Sequence, residues 1–167
     1  MDTVTGSELT GLVDLAHRRG VRHIAIGSGR TPEALAFVDQ FTSRWERTGG
    51  EVTETITWPE EAASWLHQAT RFMGAGADLW VMTGPALGWA QMTRRLLWST
   101  TWRPEHALVT AAVSTPEALR MIGLHNLDGL TGVNSQGVTW TIHDGRQVWP
   151  PHPTRHARHR RARRGRP

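Results

Sequence analysis

The residues best placed to do chemistry lie in one short run, Gly27-Ser28-Gly29-Arg30-Thr31-Pro32. Two glycines allow a tight backbone turn, and the arginine offers a forked donor that matches carboxylate or phosphate. Thr31-Pro32-Glu33 has the form of a helix start, whose first N–H groups lack partners and attract anions. The run therefore suits an anion. It suits equally well a plain strand-to-helix turn carrying an exposed arginine, and a catalytic phosphate loop is the third reading. Nothing else in the chain completes a catalytic set. The nine histidines contain no H-E-x-x-H pair, and Ser28 lacks the Gly-x-Ser-x-Gly frame of a hydrolase nucleophile. Cysteine and lysine are both missing, which excludes thiolate metal sites, thiol nucleophiles, Schiff bases and a Walker-type lysine. The adjacent Glu60 and Glu61 read as the opening of a helix, where carboxylates favour the positive end of the dipole. The chain is expected to be non-catalytic, without metal or cofactor.

The elements that must hold these residues follow from periodicity and caps. Thr5 and Glu8 can form a capping box, Leu9, Leu12, Val13 and Ala16 make one helical face, and Gly20 can close that helix. A β-branched strand is predicted over 21–26. Thr31 caps a second helix whose face is Ala34, Val38, Phe41 and Trp45, ended by Gly49-Gly50. Residues 51–58 form a strand that Glu54 assigns to a sheet edge. A third helix is predicted from Pro59-Glu60 with the stripe Ala62, Leu66, Ala69 and Met73. Strands over 78–82 and 106–113 flank a helix that carries Ala86, Ala90 and Leu97. Thr115-Pro116-Glu117 then repeats the helix opening at Thr31. Residues 138–143 alternate strictly, and Asp144-Gly145 is a two-residue hairpin turn.

Strand-helix alternation followed by a hairpin predicts an α/β fold, doubly wound. Its sheet is mainly parallel with a flavodoxin-like order, helices lie on both faces, and a β-hairpin ends it at the carboxyl side. Ligands of such sheets bind beyond the carboxyl ends of the strands. That gathers Ser28, Gly29, Arg30, Thr31, Trp58, Thr83, Gly84, Pro85 and Ser114 on one rim. Trp58, next to Pro59, is open to two uses, core packing or stacking on a ligand or partner. Trp45, Trp65, Trp80, Trp89 and Trp98 read as packing.

Charge divides the chain in two. Residues 150–167 contain seven of the nineteen arginines and no acid, leaving a body of twelve arginines against fifteen acids. Residues 1–149 are read as one folded lobe and 150–167 as a disordered basic tail. In that tail Arg155, Arg158, Arg160, Arg161, Arg163, Arg164 and Arg166 suit nonspecific contact with nucleic acid or another polyanion, without aromatics to read bases. No apolar run reaches the roughly 18–20 residues of a membrane span, and the amino terminus has no signal-peptide pattern. As given, the chain reads as cytoplasmic, and as extracytoplasmic only if it is a fragment of an exported protein.

The order of features from Gly49 to Val52, at Trp58-Pro59 and from Asp78 to Val81, with the closing stretch 129–149, resembles one lobe of the type I periplasmic-binding fold. The similarity is to substrate-binding proteins of branched-chain amino acid ABC transporters. It implies a non-catalytic module that binds a small molecule through the strand-end loops Ser28–Thr31, Trp58, Thr83–Ala86 and Ser114. Those proteins close a cleft between two lobes, so a partner protein, a second lobe or a homodimer is implied here. The Gly-Ser-x-Arg-Thr-Pro run also resembles loops of sugar isomerase domains and of phosphoribohydrolases related to lysine decarboxylases, which is the nucleotide- or sugar-phosphate enzyme alternative. The second glycine-rich signature of those hydrolases is missing.

Overall fold

The computed structural model describes residues 4–151. Its elements are α1 (Gly6–Arg18), β1 (His23–Ser28), α2 (Pro32–Arg47), β2 (Glu51–Thr57), α3 (Leu66–Met73) and β3 (Leu79–Thr83). They continue through α4 (Ala86–Ser99), β4 (Ala107–Val109), α5 (Pro116–Arg120), β5 (Thr131–Val133), β6 (Thr139–His143) and β7 (Arg146–Val148). One seven-stranded sheet runs in the order β2-β1-β3-β4-β5-β6-β7. The first five strands in that order are parallel and the last two antiparallel. This is the doubly wound, mainly parallel sheet with a terminal hairpin that the alternation of elements implies.

Successive strand residues face opposite sides, so each strand feeds two cores. Ile24, Ile26, Leu79, Val81 and Leu108 meet Leu12, Ala16, Phe37, Phe41 and Trp45 from α1 and α2. Ala25, Trp80, Met82 and Val109 meet Phe72, Trp89, Met92 and Leu119 from α3, α4 and α5. Both cores lie under a sheet face, which leaves the carboxyl ends of the parallel strands as one rim.

Local caps form where the residue types ask for them. The hydroxyls of Thr5, Thr31 and Thr115 accept the N–H groups of Glu8, Ala34 and Ala118. Gly20 follows α1 at φ +67°, and the Asp144-Gly145 turn has φ +50° and +68°, both in the left-handed region a two-residue hairpin needs.

Several sequence expectations require correction. The third helix does not start at Pro59. It begins at Leu66 and buries Ala69 and Phe72, while Leu66 itself is exposed. Segment 59–65 is instead folded back on itself, with the Trp65 indole N–H donating to the Pro59 carbonyl at 3.0 Å. The first strand lies two residues later than predicted. Of 106–113 only Ala107–Val109 is strand, because Ala111–Val113 winds into a 3-10 turn. Trp98 is not packing but 64% exposed. β2 is an edge strand as read, and Glu54 on it pairs with Arg71 of α3.

Candidate functional site

Four strand ends build the rim. The chain leaves β1 at Ser28, β2 at Thr57, β3 at Thr83 and β4 at Val109. Crossing backbone bonds tie them: Gly29 N–H donates to the Thr83 carbonyl at 3.2 Å, Trp58 N–H to the Ser28 carbonyl at 3.0 Å, and Thr110 N–H to the Met82 carbonyl at 3.2 Å. Gly84, at φ +132°, brings its Cα under Gly29, where a Cβ would lie 2.7 Å from the Gly29 nitrogen. Only glycine fits between these two loops.

The hydroxyls that sequence reasoning placed on this rim are there, but they face inward. Ser28 is buried and donates to the Gly29 carbonyl at 2.9 Å. Thr83 and Thr110, both buried, share a hydroxyl–hydroxyl bond of 2.8 Å. Ser114 donates to the carbonyls of Thr110 at 2.7 Å and Val133 at 3.2 Å. The Thr83–Thr110 and Ser114–Val133 bonds join neighbouring strand ends, while Ser28 is spent on its own loop. The Gly29 N–H is committed as well, which takes one donor of the glycine loop out of any phosphate cradle.

Trp58 is placed differently from the rim loops around it. Its ring is fully buried, edge-on to Phe72 at 6.5 Å between centroids and close under Gly27. It is a core residue, and its ring is not available for stacking on anything outside. Around the rim Arg30, Glu61, Leu87 and Thr115 are exposed, with Thr31, Pro85, Ala86 and Glu60 half-buried. The Arg30 side chain donates to the Thr57 hydroxyl at 3.4 Å and makes no ion pair among the described residues. Leu87, in the first turn of α4, is 51% exposed. The face thus offers a free cation and an apolar side chain.

Two carboxylates that sequence reasoning assigned to helix starts hold the rim, Glu8 in addition to its capping box with Thr5 and Glu60 in place of a helix start. Glu8 is buried, and its Oε1 accepts the Ala111 N–H at 2.8 Å, so α1 clamps the turn after β4. Burial pushes its carboxyl above the ordinary range, against the pull of the backbone N–H groups of Ala111 and Thr5. Glu60 reaches from segment 59–65 to α4, where its Oε2 accepts the Gly88 N–H at 2.8 Å. Its Oε1 is buried with no partner among the described residues. Burial raises this carboxyl too, offset in part by Gly88. No local signal marks either partner, because they stand 103 and 28 residues away.

Two grooves run along the outer side of α2, past Leu35, Asp39, Ser43, Glu46 and Arg47, and none of the predicted rim residues lines them. The tail arginines from Arg155 to Arg166 lie outside the described residues. No helix among the described residues is long and apolar enough to cross a membrane.

No family model and no curated protein matches this sequence. Solved structures do match its fold. A branched-chain amino acid ABC transporter periplasmic ligand-binding protein from Burkholderia xenovorans superposes with a TM-score of 0.61 at 13% identity, over 75% of this chain and 33% of its own. An ABC transporter substrate-binding protein from Sphaerobacter thermophilus gives 0.63 at 18%, over 76% and 35%. An ABC transporter solute-binding protein from R. palustris, solved in complex with 4-hydroxybenzoate, gives 0.53 at 18%, over 66% and 32%. The chain thus has the fold of a single lobe of such proteins and spans about a third of their length.

Proposed function

We propose that this chain is a non-catalytic ligand-binding lobe whose rim forms one wall of a cleft, the other wall coming from a second lobe or partner. The unpaired Arg30 on the rim carries the reading. A guanidinium left without a carboxylate, with an exposed leucine on the same rim, is a fit for a small molecule with an anionic group and an apolar body. The open rim agrees with half a site, since pockets bury most of a ligand between opposed surfaces. The inward hydroxyls and the committed Gly29 N–H speak against the sugar-phosphate enzyme alternative.

A single wall supplies about half the contacts, so affinity on the order of millimolar is expected for the isolated lobe. The test is a titration of the full chain with 4-hydroxybenzoate and with leucine, followed by amide chemical shifts. Shifts at Arg30, Thr31 and Leu87, abolished by Arg30→Ala, support the reading. A rim that stays unmoved by both compounds at about ten times that concentration overturns it.

A further inference from the structure

We infer that the outer face of α4 around Trp98 is a docking surface for an anionic lipid bilayer. This face is separate from the rim, and its role goes beyond the ligand-binding reading.

The helix geometry defines the face. α4 is the middle helix of its layer, packed between α3 and α5. Its inner side buries Trp89, Met92, Thr93 and Leu96, which fixes what points away from the sheet. Arg94 and Arg95 precede Trp98 by one turn and share its side of the helix. Trp98, at 64% exposure, is the most exposed large apolar side chain among the described residues, and it belongs to neither core. α5 widens the same surface. Arg94 donates to the Met121 carbonyl, and both Arg120 and Met121 are exposed beside it. A large indole held in water with no packing role marks a contact surface.

Charge names the partner. α4 contains two arginines and no acid. None of Arg94, Arg95 and Arg120 makes an ion pair among the described residues. The partner is therefore anionic. Arg95 donates to the Ser99 hydroxyl at 3.3 Å, and Ser99 and Thr101 are exposed, so donors suited to phosphate oxygens surround the indole. A second copy docked through the same face would set arginines against arginines, which costs affinity. Tryptophan settles at the bilayer interface, its ring among acyl chains and its N–H among headgroups, and arginine stems lie along apolar surface with their heads in the phosphate layer. A single projecting ring flanked by cations fits that layered surface. A tryptophan that anchors a protein partner sits instead within a ring of packed contacts. No helix among the described residues is long and apolar enough to cross a membrane, so the attachment is peripheral.

The test is flotation of the full chain with vesicles of phosphatidylcholine alone or mixed equally with phosphatidylglycerol. Wild type is compared with Trp98→Ser, Trp98→Phe and the double variant Arg94→Gln/Arg95→Gln. The arginines from Arg155 to Arg166 are common to all four proteins, so their own attraction to lipid cancels. Wild type is expected to bind the mixed vesicles about tenfold or more tightly than the neutral ones. Trp98→Ser should weaken that binding about tenfold, and each arginine removed about fivefold. Brominated acyl chains should quench the wild-type fluorescence, and this quenching should vanish in Trp98→Phe while its binding remains. Trp98→Ser removes no core contact, and Arg95→Gln alone carries the charge test if the double variant does not fold. Equal affinity of all four proteins for the mixed vesicles assigns attachment to the arginines of 155–166 and overturns the inference. Equal binding to neutral and mixed vesicles, no vesicle binding, or quenching that survives Trp98→Phe overturns it as well. So does a loss in Trp98→Ser of affinity for an acidic peptide or a single-stranded oligonucleotide with vesicle binding unchanged.

Discussion

Replacing Gly27 by alanine tests whether Trp58 belongs to the core or to the rim. Gly27 sits in β1 with β2 on one side and β3 on the other, so its backbone has no room to retreat. An added Cβ would lie 2.6 Å from Trp58 Cζ3, 2.8 Å from Phe72 Cζ and 3.0 Å from Trp58 Cη2. Both rings are fully buried, so neither is a flexible end that can swing into solvent. Overpacking of this kind costs about 1–3 kcal/mol. The lost backbone freedom of the unfolded chain returns roughly 0.4–1 kcal/mol. A net destabilisation of about 1–2 kcal/mol is expected, and a midpoint lower by roughly 2–8 °C for a domain of this size. Trp58→Phe removes the two indole atoms that meet the new methyl and opens space of its own, at a cost below the roughly 3–5 kcal/mol of truncation to alanine. The double variant should therefore be less destabilised than the two singles together, by about 0.5–3 kcal/mol. Urea unfolding followed by far-UV circular dichroism, with the slope unchanged across the four proteins, measures this coupling. Additivity within about 0.5 kcal/mol would mean that the Trp58 ring does not lie under Gly27, and the burial argument would fail.

Three further outcomes follow from the structure. The folded Glu8 carboxyl lies above its ordinary value of 4.5, so its contribution to stability is fully present below that value and is lost as the pH rises through the folded one. Wild type should gain on Glu8→Gln in urea midpoint as the pH falls from 7 to 4.5. Asp78 has the opposite sign. The backbone N–H of His23 holds it below 3.8, so its contribution is present above 3.8 and lost as the pH falls through the folded value, a dependence that Asp78→Asn should remove. At the far end of α4, exposed Trp98 makes no core contact to lose, and Trp98→Ser should change stability by no more than about 0.5 kcal/mol in thermal unfolding.

How legible each part was depends on how far apart the deciding atoms lie. The helix starts at Thr31 and Thr115 are written within four residues, because a hydroxyl meets an N–H three positions on. The same holds for Asp144-Gly145, whose positive φ values are properties of the turn itself. Pro59-Glu60 misled for the converse reason. Its types suit a helix start, but Glu60 finds a better use at the head of α4, and the indole of Trp65 takes the Pro59 carbonyl. A competing tertiary bond outweighed a weak local preference.

The sequence by itself determined the order of strands and helices, their apolar faces, the edge position of β2 and the exclusion of thiol and lysine chemistry. Those rest on residue type and on periods of two and 3.6 residues, which any stretch of chain carries with it. Only the tertiary structure decided which polar groups are free. Thr83, Thr110 and Ser114 are committed to neighbouring strand ends and Ser28 to its own loop, Trp58 is sealed beneath β1, and Arg30 is left without an ion pair. A hydrogen bond or a buried ring depends on what the rest of the chain brings within about 3–4 Å, and that proximity exists only once the sheet has formed.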